Sequence, residues 1–250
     1  MLLLEARLLA GFPHGFTTRQ GGVSSPPFDS LNLGGRVGDD PAHVAENWRR
    51  LEAQAGLAFA RVRQVHGARA VRAIRSAEPE MEADAVLSAE PGLAACVSVA
   101  DCVPVLLADP ASGLVAAVHA GWRGTAARAA AAGVSALAEA GCRPGDLVAV
   151  VGPSIGPCCY EVSPDLAGWF GDELGAETVR DGPRPRLDLW RANALVLAAA
   201  GVRADRIEVL GRCTACERDL FFSHRRDAGR TGRQVAFVAP RRSSGGGTLP

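Results

Sequence analysis

Residues 94–119, AACVSVADCVPVLLADPASGLVAAVH, decide the fold. The segment holds three short apolar runs, 94–99, 103–108 and 114–119. Asp101-Cys102 divides the first two, and Pro110-Ala111-Ser112-Gly113 the last two. Short Val- or Leu-rich runs bounded by Gly, Pro or Asp predict strands. The turn at 110–113 makes the second and third strands neighbours. Two more strands are predicted at 147–151 and 235–239. Helices are predicted at 43–55, 125–140 and 191–200. The first follows Asp39-Asp40-Pro41, with Pro41 near the helix start. The second is Ala-rich and is stopped by Gly141. Pairs of adjacent strands beside isolated helices lack a βαβ alternation, so the pattern favours an α+β layered domain over a doubly wound one.

The chain has 250 residues with 27 basic side chains, 27 acidic ones and five His, for a formal charge of zero. That balance argues against a nucleic-acid partner held by bulk charge. The apolar share of 48% excludes general disorder. Every basic residue is Arg, which excludes a catalytic lysine. No repeat or long linker divides the chain, so residues 1–240 are expected to form one catalytic domain. The low-complexity end, 241–250 (RRSSGGGTLP), is expected to be a disordered tail. The start MLLLEARLLAG carries Glu5 and Arg7 within a short apolar stretch, unlike a signal peptide. No run approaches the roughly 18 apolar residues of a membrane span. A cytoplasmic protein without membrane partners is expected, with its seven Cys as thiols or metal ligands. The Pro/Gly-rich stretches at 21–27 and 152–157 are expected to be site loops.

His66 lies in Arg63-Gln64-Val65-His66-Gly67, and His119 in Val118-His119-Ala120-Gly121-Trp122-Arg123-Gly124. Both are placed where a strand should give way to a Gly turn, facing a cavity. Asp101 and Cys102 interrupt apolar sequence. A carboxylate buried there needs compensation from a metal-bound group, an Arg or a helix end. Two His and one Cys form a three-ligand set suited to zinc, with a fourth position left for water or substrate. Cys213-x-x-Cys216 is the only CxxC; without a second pair it closes no zinc site. Cys158 and Cys159 are adjacent and do not read as a ligand pair. Gly121-Trp122-Arg123-Gly124-Thr125 opens a helix after a strand and is a candidate anion turn, as is Thr17-Thr18-Arg19-Gln20-Gly21-Gly22.

Several long motifs then occur in order. They are Phe16-Thr17-Thr18-Arg19-Gln20-Gly21-Gly22-Val23-Ser24, Ser30-Leu31-Asn32-Leu33-Gly34 and Gln64-Val65-His66-Gly67. Ala100-Asp101-Cys102-Val103-Pro104, His119-Ala120-Gly121-Trp122-Arg123-Gly124, Gly152-Pro153-Ser154-Ile155-Gly156-Pro157-Cys158-Cys159-Tyr160-Glu161-Val162 and Phe221-Phe222-Ser223-His224-Arg225-Arg226 follow. In these the chain resembles the YfiH family, also called the laccase-domain or polyphenol oxidase family, over about residues 16–238. The resemblance implies a single α+β domain of α/β/β/α layers with mixed sheets. It implies zinc held by His66, Cys102 and His119, and purine nucleosides and phosphate as substrates. Adenosine, inosine, guanosine and methylthioadenosine would be phosphorolysed, and adenosine also deaminated. Cys102, His119 and Asp101 are the expected catalytic residues. Arg19, Gln64, Arg123 and Gly124 are expected to bind substrate. A geometric objection attaches to Asp101, because strand neighbours point to opposite faces. The older oxidase name fails a count: copper oxidase centres need about ten His, and this chain has five.

Two other readings stay open. Cys102 and His119 suit a cysteine hydrolase, such as an amidase editing peptidoglycan precursors. A zinc-binding partner module without turnover is the third. The oligomeric state is not legible.

Overall fold

The computed structural model describes residues 1–73 and 81–241. Two sheets stack face to face, and helices cover their outer faces. The first sheet runs β1 (Leu3–Leu4), β2 (His14–Thr17), β13 (Gln234–Val238), β6 (Leu93–Val99), β3 (Ala58–Ala60). The second runs β12 (Ile207–Val209), β9 (Val148–Val151), β7 (Val103–Ala108), β8 (Val115–Ala120), β5 (Ala85–Ser88), β4 (Ala70–Arg72). Both mix parallel and antiparallel pairs. A small ribbon joins β10 (Val179–Arg180) to β11 (Arg186–Leu187). The result is a single α/β/β/α sandwich, as the resemblance implied.

Alternation along each strand assigns side chains to layers. Leu93, Ala95 and Val97 of β6 meet Leu106, Ala108, Ala117 and Val150 between the sheets. Ala94 and Cys96 of the same strand face the other way, onto Trp48 and Leu51 of α1 (Pro41–Ala55). Val105, Leu107 and Val118 face the helices on the opposite side. These are α3 (Ala129–Glu139), through Val134 and Leu137, and α5 (Leu189–Ala199), through Val196 and Leu197. Helix α4 (Pro164–Leu174) adds Phe170 to that layer.

The second predicted strand is β7 end for end, and the others shift by a residue. The helix predicted at 43–55 starts earlier, at Pro41, because the Asp40 carboxylate accepts the Ala42 N–H and caps it. The helix predicted at 125–140 is two helices. A short one, α2 (Trp122–Ala126), ends at Ala127, and Arg128 turns left-handed at φ 62° before α3 begins. No Gly or Pro marks that break. Gly141, at φ 98°, does end α3: Cys142 N–H reaches Leu137 O in the Schellman arrangement. Helix α4 escaped prediction although Ser163 caps it and Pro164 opens it. Arg241 lies against the Phe12 ring; the rest of the predicted tail lies outside the described residues. No described helix is long and apolar enough to cross a membrane.

Candidate active site

β7 and β8 form an antiparallel hairpin that sets Pro104 opposite His119. Cys102 sits in the tight turn just before β7, and His119 is the penultimate residue of β8. Strand register thus brings the two together, as the predicted turn at 110–113 implied. His66 arrives differently. It belongs to no strand but to a loop, at a left-handed φ of 62°.

Asp84, which the sequence reading did not single out, holds that loop. Its fully buried carboxylate accepts the N–H groups of Val65 (3.3 Å), His66 (2.9 Å) and Gly67 (2.7 Å). It also lies 2.8 Å from His119 Nδ1. Its backbone carbonyl accepts the His119 N–H at 2.7 Å. One side chain therefore holds the backbone of the His66 loop and fixes His119 with Nδ1 occupied and Nε2 free to face Cys102.

The donor atoms of His66, Cys102 and His119 all lie within 4.8 Å of one another. Cys102 Sγ is 4.0 Å from His66 Nε2, and the two His rings meet edge to face at 4.8 Å. Tetrahedral zinc with bonds of about 2.0–2.3 Å needs donors roughly 3.3–3.8 Å apart, so a small contraction satisfies it. The set of two imidazoles and one thiol, with a carboxylate behind one imidazole, fits zinc chemistry. Gly121 makes room: a Cβ there would stand 2.6 Å from Cys102 Sγ.

Electrostatics favour the ionised forms. Burial opposes a Cys102 thiolate, but the His119 charge and hydrogen bonds from both His outweigh it, and the thiol is lowered well below its usual range. Burial likewise opposes an imidazolium at His119, yet Cys102 and Asp84 raise it. Asp84 is itself held below the usual carboxylate range: hydrogen bonds from His119, Gly67 and Val65 overcome its burial. Cys96 shows the contrast. Buried without such partners, its thiol is pushed up to about 12.

The cluster opens onto a cavity of about 1100 Å³. Asp101, Gln64 and Arg123 line it; Arg19 and Gly124 do not. Arg19 is pulled away by its ion pair with Asp29 at 3.1 Å and packs over Phe222. Gly124 lies under the site, where a Cβ would press on His119 O at 3.2 Å. Gln64 uses both ends of its amide on β6: Nε2 donates to Ser98 O, and Oε1 accepts Ser98 N–H. It pins the His66 loop. Asp101, at φ 85°, is compensated by hydrogen bonds from the protein. Its carboxylate accepts the Thr214 hydroxyl and the Arg225 N–H, each at 2.6 Å. The turn at 121–125 opens only a five-residue helix, with Arg123 stacked on Trp122. Beyond the predicted set, Tyr160, Arg225 and the half-buried Arg233 also line the cavity.

The family model described as "Multi-copper polyphenol oxidoreductase laccase" matches residues 13–241. A Deinococcus radiodurans protein named purine nucleoside phosphorylase is 46% identical over 96% of this chain and 94% of its own length. Purine nucleoside phosphorylase YlmD of Geobacillus stearothermophilus is 40% identical over 93% of this chain and 91% of its own. The crystal structure of YlmD from Geobacillus stearothermophilus superposes with a TM-score of 0.89 at 39% identity, covering 95% of this chain and 94% of that one. A Neisseria meningitidis structure does so at 0.88 and 34%, covering 96% and 99%.

Proposed function

The chain belongs to the laccase-domain family that includes YfiH and YlmD, and from that premise we propose that it is a zinc-dependent purine nucleoside phosphorylase that also deaminates adenosine. The observation that carries the reading is the His66, Cys102, His119 cluster at the wall of a cavity large enough for a nucleoside and phosphate. When bound there, zinc supplies a Lewis acid to the cavity.

The chain's own residues do the rest. Asp84 fixes the His119 imidazole and holds the backbone of the His66 loop, so the donor set is assembled before substrate arrives. In phosphorolysis a phosphate oxygen bonds to C1′ as the bond to the purine nitrogen breaks, and the base leaves with a proton. Arg233, Arg225 and Arg123 line the cavity and supply guanidinium groups for the phosphate. These replace Arg19 in that role. Burial raises Tyr160 to about 12, so its phenol keeps its proton and offers the purine a hydrogen-bond donor. Asp101 holds the turn carrying Cys102, which makes it a positioning residue. Adenosine, inosine, guanosine and methylthioadenosine are the proposed substrates. Copper oxidase chemistry lacks its donors, since two of the five His meet here and His14, His43 and His224 stand apart from the described metal-ligand groups.

Zinc-loaded protein incubated with adenosine, with and without phosphate, tests this. Adenine formed only with phosphate, together with inosine in either case, is expected. Unchanged adenosine would overturn the reading. One observation favours a second reading: the Cys102 thiol, held below its usual range, faces a His119 imidazole backed by Asp84, as in cysteine hydrolases. That reading requires amide hydrolysis, for example of peptidoglycan precursors, by the metal-free chain.

A further inference from the structure

The second donor cluster joins segments that the sequence keeps far apart. Cys158 and Cys159 lie in the turn that leaves β9, and Cys213 and Cys216 in the turn that follows β12. Cys216 Sγ is 3.6 Å from Cys158 Sγ and 3.4 Å from Cys159 Sγ. All four sulfurs lie within 4.8 Å of one another. The missing second pair for the CxxC is therefore present, and it comes from the adjacent cysteines.

We propose that Cys158, Cys159, Cys213 and Cys216 bind a second metal ion of the zinc class, as a closed tetrathiolate site that clips two loops against the active-site cavity. Four sulfurs about 2.3 Å from one ion stand roughly 3.8 Å apart, close to the spacing here. A disulfide needs sulfurs at about 2.05 Å and uses only two of the four. Four protein donors leave no open position, which marks a structural site. None of these cysteines lines either of the two described cavities. A backbone donor reaches one of the sulfurs: the Gly156 N–H donates to Cys213 Sγ at 3.3 Å. Arg226 donates to Thr214 O at 2.8 Å, setting a guanidinium against the CxxC turn.

The clip acts on the first site through short links. Ser154 N–H donates to Arg212 O, and Thr214 N–H to Ser154 O, tying the two loops together. Thr214, inside the CxxC, donates its hydroxyl to Asp101, next to Cys102. Ile155 N–H donates to Asp101 O. Ile155 and Tyr160, on either side of the Cys pair, line the cavity. This inference does not depend on which substrate the cavity takes.

Metal content per chain tests it, on full-length protein made with zinc under reducing conditions. Wild type is expected to carry two zinc ions, Cys102→Ser one, and the double variant Cys158→Ser/Cys216→Ser one. Should the double variant fail to fold, thiol titration of the wild type decides. Cys158, Cys159 and Cys216, all at least partly exposed, are expected to resist a thiol reagent until a chelator strips the metal. One zinc in wild type overturns the proposal. So do two in the double variant, free reaction of these thiols in zinc-loaded protein, a disulfide in the non-reduced intact mass, or an iron–sulfur chromophore. Loss of nucleoside turnover in Cys102→Ser with the second zinc retained separates the two sites.

Discussion

Two sets of donors gather within the same 4.8 Å, yet their surroundings differ at every point. His66, Cys102 and His119 combine nitrogen with sulfur, lean on the Asp84 carboxylate and open onto a cavity. Cys158, Cys159, Cys213 and Cys216 are all sulfur, have backbone rather than carboxylate support and line no described cavity. Proximity of ligands is thus common to both. What separates chemistry from stapling is an open side and a second layer that orients the donors.

The sharpest way to break this comparison is Cys102→Ala or His119→Ala. Phosphorolysis is expected to fall below detection, with an unchanged far-ultraviolet circular dichroism spectrum; full activity in either variant would undo the assignment. Asp84→Asn comes next. It leaves all three donors in place but disturbs the His119 imidazole and the backbone of the His66 loop, and a loss of about 10–100-fold in zinc affinity or kcat/KM is expected. Gly121→Ala should follow. Its Cβ would crowd Cys102 Sγ at 2.6 Å, so zinc binding at the first site weakens in a competition assay against a chromophoric chelator, while the second site is untouched. Thr214→Val should have the smallest effect on turnover. It cuts the hydroxyl link between the CxxC and Asp101. A stability loss of about 1–3 kcal/mol is expected, read as a lower Tm, with kcat/KM reduced only a few-fold.

The shorter β1 to β5 and β12 were not predicted, but the five strands at the centres of the sheets, β6, β7, β8, β9 and β13, were readable because burial makes them apolar runs; β7 is the plainest case. The break at Arg128 was not, since an Ala-rich stretch without Gly or Pro gives no local sign that tertiary packing will bend it. The three donors that meet in the candidate metal site were legible through their motifs. Asp84 was hidden, a lone carboxylate just ahead of the apolar strand β5, whose importance lies in loops it meets only in space. The four-thiol cluster was hidden for a simpler reason: Cys158 and Cys216 are 58 positions apart. Arg19 was misplaced because a motif identifies a residue but not its ion pair with Asp29.

His119 continues the row Val115, Ala117 of β8, whose members face the layer between the sheets. A slip of one residue between β7 and β8 would turn the whole row over. It would swing His119 toward the helices and push Val118 to the cavity mouth, while opening the inter-sheet core. Activity and correct strand pairing are therefore inspected by the same residue row. A misregistered chain has no way to keep one without the other, and the fold carries its own proofreading of the site.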